Sequence, residues 1–306
     1  MNQERPISCY LCNSLNISKS HNQKKIKYDD GTYTFYKCNK CRSYSLFPKL
    51  VHEKIAKLYS QEYSDMFSDS HEDVSASYKS KFDELEKFIS RNSKSEHESF
   101  LDYGCGFNPV TLGIATKNGL DCQGVEFSSE VVDQANQVFP GKITTVEEFR
   151  KSSSKYDYIF LGDVIEHLTE PITELVEISR RIHTDGLLIA QGPLQGALTL
   201  SHILIKIKSS VFSKGESTFP PYHVSLATRK GMHEVMNSSN FEIVQFKISE
   251  PLWPAPSLKS IVRKPSIRGY VILLLKLIDK ALARLVPRFG SYYFLVAQRK
   301  GAVPPL

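Results

Sequence analysis

Short apolar runs alternate with longer amphipathic stretches over the last two thirds of the chain. Ser99-Phe100-Leu101 runs into Asp102-Tyr103-Gly104-Cys105-Gly106, and a second apolar run ends at Gly124-Val125-Glu126. Residues 142–146 form a third, and the run over 156–161 ends at Gly162-Asp163. Pro171 then opens a helical pattern through Ile172, Leu175, Val176 and Ile182, with proline at the first turn, where its missing N–H costs nothing. His183-Thr184-Asp185-Gly186 reads as the turn that closes this helix. A fifth strand follows over 187–190, and residues 241–248 and 291–298 read as a sixth and a seventh. Strands separated by helices of roughly ten to fifteen residues predict an α/β fold, a doubly wound parallel sheet with helices on both faces. Ligands of such sheets bind outside the carboxyl ends of the strands, where Asp102, Glu126 and Asp163 all fall.

The glycines at 104 and 106 let backbone approach a ligand, because neither carries a Cβ. Dinucleotide cradles use a third glycine to seat a pyrophosphate on a helix N-terminus, and here Asn108-Pro109 stands instead. Asp102 would repel phosphate but can hold an ammonium, directly or through water. Glu126, at the end of the second strand, is placed to take two ribose hydroxyls. A nucleoside carrying an amino acid and no phosphate satisfies all three demands, and S-adenosylmethionine is such a molecule.

From residue 100 to 300 the chain resembles the class I S-adenosylmethionine-dependent methyltransferases. The resemblance is carried by LDYGCG (101–106), GVEFS (124–128), YDYIFLGDVIEHLTEP (156–171), HTDGLLIAQGP (183–193) and PPYHVSLATRKGMHEVMNSSNFEIV (220–244). It implies the Rossmann-like seven-stranded methyltransferase sheet. The last segment is similar to one in a bacterial branch active on small molecules and glycans. By this likeness Asp102, Gly104 and Gly106 contact the methionine part of the cofactor and Glu126 its ribose, and Cys105, through its backbone, and Asp163 are further expected cofactor-binding residues.

Four of the six cysteines stand as Cys9-x-x-Cys12 and Cys38-x-x-Cys41. Two such knuckles can deliver four thiolates to one tetrahedral zinc, which also explains how so short a segment folds. Two disulfides or reduced surface thiols are the competing readings. Between the knuckles, alternating residues flank Asp30-Gly31, a hairpin signal, so a zinc ribbon is expected. The predicted organisation is a ribbon over 1–49, a helical connector over 50–98 and a methyltransferase domain over 99–306. The connector carries two apolar patterns, through Ile55, Leu58 and Tyr59 and through Tyr78, Phe82, Leu85 and Phe88. The domain carries a lid insertion over 194–222 and a basic amphipathic insertion over 249–290.

Acceptor chemistry is expected at Asp163-Val164-Ile165-Glu166-His167, directly after the fourth strand, with His223 as a fourth polar group. His167 and His223 are the candidate bases for deprotonating a hydroxyl. Asp163, Glu166, His167 and His223 together would also suit a divalent cation, Mg²⁺ or Mn²⁺. The motif resembles the metal-binding acid-x-x-Glu-His of ubiquinone-pathway O-methyltransferases and small-RNA 2′-O-methyltransferases, with an aspartate where those have glutamate. An acid-x-x-Glu pair before an apolar run is equally a helix capping box. In the lid, Phe219 and Tyr222 could stack on a sugar or ring, or simply pack.

In the second insertion Lys276, Asp279, Lys280 and Arg284 share one helical face, and valines, isoleucines and leucines cover the rest. Residues 259–288 hold eight Lys or Arg against one Asp, enough to account for the net charge of +6. Charge interrupts the apolar run too early for a bilayer span, and the pattern suits either the membrane interface or a packed helix. The composition, 41% hydrophobic and 24% charged, is that of a globular protein, and the N-terminus lacks an apolar signal core. A cytoplasmic chain is expected, peripheral to the inner membrane if the basic helix docks there. The predicted activity is methyl transfer to a small-molecule or sugar acceptor, including a lipid-linked glycan, with oxygen favoured. Two alternatives are a metal-dependent RNA 2′-O-methyltransferase and a non-catalytic zinc-ribbon binding protein. Nucleic acid is not the expected partner, because the positive charge is concentrated in an apolar helix and not spread along a groove.

Overall fold

The structure, a computed structural model, describes residues 7–20, 25–51, 54–55, 58, 78–93, 97–196, 199–201, 203–204, 217, 220–252, 255, 261–262, 265–286 and 288–301. Tyr59, Phe219, much of the connector and most of the lid insertion lie outside the described residues. The ribbon comprises β1 (Ile17–Lys19), β2 (Ile26–Tyr28), β3 (Gly31–Cys38) and β4 (Tyr44–Phe47). Tyr28 pairs with Gly31, so the hairpin turn is Asp29-Asp30, one residue earlier than the glycine suggests. Asp29 itself takes the left-handed conformation, at φ 54°. Gly31 is the first strand residue, and the Tyr33 ring fills the space a Cβ would need.

A 3₁₀ turn (Ser80–Phe82) leads into α1 (Asp83–Asn92). The alternation that follows is β5 (Ser99–Tyr103), α2 (Val110–Lys117), β6 (Asp121–Glu126), α3 (Ser129–Val138), β7 (Ile143–Thr145), α4 (Val146–Lys151) and β8 (Tyr156–Gly162). A second 3₁₀ turn (Ile165–His167) precedes α5 (Pro171–Arg180), β9 (Ile182–Pro193) and β10 (Ser225–Leu226). The chain finishes with α6 (Arg229–Ser238), β11 (Phe241–Ser249), α7 (Ile267–Leu285) and β12 (Tyr292–Arg299). The large sheet has the order β11-β12-β9-β8-β5-β6-β7. Its strands β9, β8, β5, β6 and β7 are parallel, and β12 runs antiparallel to both β9 and β11.

Period-two alternation divides the core. Phe100, Phe160, Ile189, Phe294 and Val296 face α1, α2 and α3 on one side. Leu101, Ile159, Leu161, Leu188, Ala190 and Leu295 face α4, α5 and α6 on the other. The doubly wound sheet is therefore present as expected. One boundary differs: residues 183–186 do not close α5, which ends at Arg180, but lie at the start of β9. Tyr156 pairs with Ile182 and Tyr158 with Leu187, so the intervening residues are extruded as a bulge. Gly186 sits where a Cβ would lie 2.9 Å from the Tyr156 and Asp157 carbonyl oxygens.

The ribbon is not a separate body. β10 pairs with β4, so a strand from the methyltransferase part completes the ribbon's sheet. Gly231 at the start of α6 lies against Ser43, where a Cβ would come within 2.1 Å of the hydroxyl. Cys9, Leu11, Cys38 and Cys41 join Met232, Val235 and Met236 in one apolar cluster.

In α7 the polarity runs opposite to the simplest amphipathic expectation at its middle, because Lys276 and Asp279 point inward. Lys276 pairs with Glu250, whose second carboxylate oxygen accepts from the Ser291 N–H at 2.7 Å and hydroxyl at 2.6 Å. Asp279, fully buried, accepts the Leu200 and Ser201 N–H groups at 2.7 and 3.1 Å. Breaking one side of such a buried pair strands the other charge. Glu250→Ala is expected to destabilise the fold by about 3–5 kcal/mol, read as a drop in midpoint in urea unfolding.

Candidate functional site

The bend after β5 is built for close approach. Gly104 and Gly106 both have positive φ, 84° and 68°. A Cβ on Gly104 would stand 2.6 Å from a Val164 methyl, whereas the space beside Gly106 is open. Gly104 and Cys105 donate to the Val125 carbonyl at 2.8 and 3.2 Å, which ties the bend to β6. The Cys105 side chain is buried against Gly124, so this residue can present only backbone to a ligand.

The Glu126 carboxylate reaches back across the bend and accepts the Gly106 N–H at 2.9 Å and the Phe127 N–H at 2.6 Å. Its pKa is raised by burial. Asp102 is buried and accepts from the Thr111 hydroxyl. Burial, opposed by that hydrogen bond and reinforced by Glu126, pushes its pKa up to about 7. Beside Asp102 lies a cavity of about 30 Å³ bordered by Gly104, Cys105, Thr111 and Asp163, the room one water occupies.

The bend opens into a cavity of about 1910 Å³ that also takes in the acceptor motif. Asp163 follows β8 with φ 56°, pairs with Lys81 and accepts from the Tyr292 hydroxyl. Neither partner carries a local signal in the sequence, since Lys81 comes from the lead-in turn and Tyr292 from the last strand. Glu166, His167 and His223 form the tighter group, each offering a ligand atom within 4.8 Å of the others. The structure therefore brings together three of the four residues considered for a divalent cation and commits Asp163 to Lys81 and Tyr292. No side-chain cap is found at the Ile165–His167 turn, so the capping-box reading is not realised there.

His167 Nδ1 lies 2.7 Å from the Tyr222 carbonyl oxygen, to which it donates, making Nε2 the ring's acceptor. The two imidazoles meet edge to face, with centroids 4.8 Å apart. Burial first, then the His223 ring, pushes His167 down to about 3, and burial lowers His223 as well. Both rings are neutral at neutral pH. Glu166 is buried, with its pKa far above the carboxylate range through burial and the Asp163 charge. Its Oε1 has no hydrogen-bond partner among the described residues.

The His223 segment is held by the ribbon. Val224 donates to the Glu166 carbonyl and its own carbonyl accepts from Leu46, both at 2.9 Å. Thr228 donates from its hydroxyl to the Cys41 carbonyl at 2.6 Å and from its N–H to the Ser43 hydroxyl at 3.0 Å. Ile26 and Phe35 of the ribbon and Arg268, Ile272 and Leu275 of α7 line the large cavity, none of them foreseen from local sequence. Beneath this segment the four cysteines converge, with Sγ separations of 3.6 Å for Cys9 to Cys41 and for Cys12 to Cys38. All six cysteines are free thiols, so neither disulfide is present. Four sulfurs about 2.3 Å from a tetrahedral zinc lie about 3.8 Å apart, close to the spacing observed.

Residues 78–246, more than half of the chain, match the family model described as Methyltransferase domain, and the chain belongs to that family. That family is one of methyltransferases, and the parallel sheet and glycine bend described above are the frame it is built on. Magnesium protoporphyrin IX methyltransferase from Synechocystis PCC 6803, solved with bound SAH, is similar with 14% identity and a TM-score of 0.54, over 82% of this chain and 100% of that one. The [4+2]-cyclase SpnF is similar with 15% identity and a TM-score of 0.53, over 82% of this chain and 98% of its own. At such identities the likeness is one of fold. No curated protein sequence matches the chain.

Proposed function

We propose that this methyltransferase acts on an oxygen of a small-molecule or sugar acceptor, with His167 and His223 at the reacting hydroxyl. The observation that carries this reading is the edge-to-face histidine pair on the wall of the cavity that also holds the glycine bend. S-adenosylmethionine supplies the electrophilic methyl when bound. Asp102 faces its ammonium through one water, Gly104, Cys105 and Gly106 lie against its methionine part beside Asp163, and Glu126 takes the ribose hydroxyls. The Tyr222 carbonyl fixes the His167 tautomer, so that Nε2 accepts a hydrogen bond from the reacting hydroxyl and orients it, and His223 shares the same space. The ribbon's Ile26 and Phe35 and α7's Ile272 and Leu275 give the cavity an apolar wall.

The test separates chemistry from binding. His167→Ala and His223→Ala are each expected to lower turnover by about 10²-fold or more, the usual contribution of a positioned base, while S-adenosylhomocysteine still binds. Full turnover in the double variant would remove the histidines from the mechanism. A second reading, a divalent cation on Glu166, His167 and His223, is favoured by the buried Glu166 Oε1 with no partner. In that case turnover depends on added Mg²⁺ or Mn²⁺ and stops with chelator. For the Cys9, Cys12, Cys38 and Cys41 cluster the sulfur spacing supports structural Zn²⁺.

A further inference from the structure

The outer face of α7 presents an apolar stripe at helical spacing, formed by Ile267, Tyr270, Val271, Leu274, Leu277, Ile278 and Leu285. Leu274 is 59% exposed and Ile267 86%. Leu200, Ile203 and Leu204 extend the patch and are also exposed. Their segment is fixed to the helix where the Leu200 and Ser201 N–H groups donate to Asp279. A packed surface helix keeps its charges outward, but this one spends Lys276 and Asp279 on internal pairing and leaves leucines outside.

Three features identify what covers such a face. Among the described residues the stripe bears no acid, and exposed Arg268, Arg284 and Arg288 mark its two ends. That is the charge pattern that attracts anionic headgroups. Self-pairing of two copies, parallel or antiparallel, would bring arginine onto arginine at both ends. The patch is also continuous with the acceptor cavity, because Val271 and Leu204 belong to the exposed face and to the cavity wall together. Among the described residues no helix is long and apolar enough to cross a membrane.

We propose that the outer face of α7, with Leu200, Ile203 and Leu204, docks on an anionic bilayer and opens the acceptor cavity sideways to a lipid-linked substrate. This rests on the cavity being the acceptor site, as argued above. The polar head of the substrate reaches His167 and His223 while its chain stays in the interface, passing between Leu204 and Val271.

The full-length protein is sedimented with vesicles of phosphatidylglycerol and phosphatidylethanolamine, and separately with vesicles of phosphatidylcholine alone. The wild type is expected to sediment with the anionic vesicles, less so at high salt, and to stay in solution with the neutral ones. Leu274→Glu with Leu277→Glu, both exposed, is expected to weaken partition about a hundredfold. S-adenosylhomocysteine binding by calorimetry and transfer to soluble acceptors should be unchanged, so failure of this proposal is distinct from failure of the catalytic reading. The proposal is overturned if the wild type stays in solution with both vesicles, binds both equally, or sediments no better than the double variant. A concentration-dependent dimer in ultracentrifugation that the double variant abolishes would assign the face to a second copy instead.

Discussion

Glu126→Ala is expected to raise the dissociation constant for S-adenosylhomocysteine by about two orders of magnitude, with little loss of stability. A carboxylate that accepts two hydroxyls contributes about 1.5–3 kcal/mol per charged hydrogen bond, and losing two such bonds costs roughly a hundredfold or more. In the structure the same oxygens accept the Gly106 and Phe127 N–H groups, which water can satisfy in the variant. Calorimetry reads the change directly, and wild-type affinity would show that the ribose lies elsewhere. Asp102 adds a pH signature. Its folded value of about 7 lies above that of an unfolded aspartate, so the empty protein loses stability as pH rises from about 4 to 7. A cationic ammonium favours the ionised form. Binding at pH 6 therefore releases a proton, seen as a heat that depends on buffer ionisation, and affinity rises up to about pH 7 before levelling. Asp102→Asn should abolish the proton release.

Removing the zinc proposed above for Cys9, Cys12, Cys38 and Cys41 is expected to stop methyl transfer while leaving cofactor affinity intact. One equivalent of zinc should be found by elemental analysis and lost in Cys9→Ser with Cys41→Ser. Structural zinc contributes binding free energy on the order of 10 kcal/mol, comparable with the whole stability of a domain, so the knuckles unfold without it. Cys41 and Ser43 then release Thr228, and Leu46 releases Val224. The His223 strand loses its anchor, whereas the glycine bend lies across the large sheet and is tied to β6. Loss of both activities together would mean that the ribbon supports the entire fold. Unchanged transfer would reduce it to an appendage.

The bend and its acid were legible because each obeys a local rule. Two glycines where backbone needs positive φ, and an acid at the carboxyl end of the next strand, are written within about twenty-five residues. The order of strands followed from alternation, and the boundary errors trace to single residues. Gly186 looked like a helix stop because its role in the β9 bulge is set by the Tyr156 and Asp157 carbonyls, which are distant in sequence. Gly31 looked like a turn residue because the backbone strain was taken by Asp29 instead. The partners of Asp163 were not legible, since Lys81 and Tyr292 approach from opposite ends of the domain. Nor was the inward turn of Lys276 and Asp279, whose partners sit on other elements. Hydrophobic periodicity shows that a helix has two faces without saying which one meets the protein.

The short pairing of β10 with β4 has an evolutionary reading. Because one continuous piece of chain both completes the ribbon and bears His223, changes in the ribbon's Ile26 or Phe35 reshape the acceptor side without touching the nucleoside side. Selection can therefore diversify what is methylated while the methyl donor stays constant, and a homologue stripped of its first fifty residues would inherit the donor half with its target preference erased.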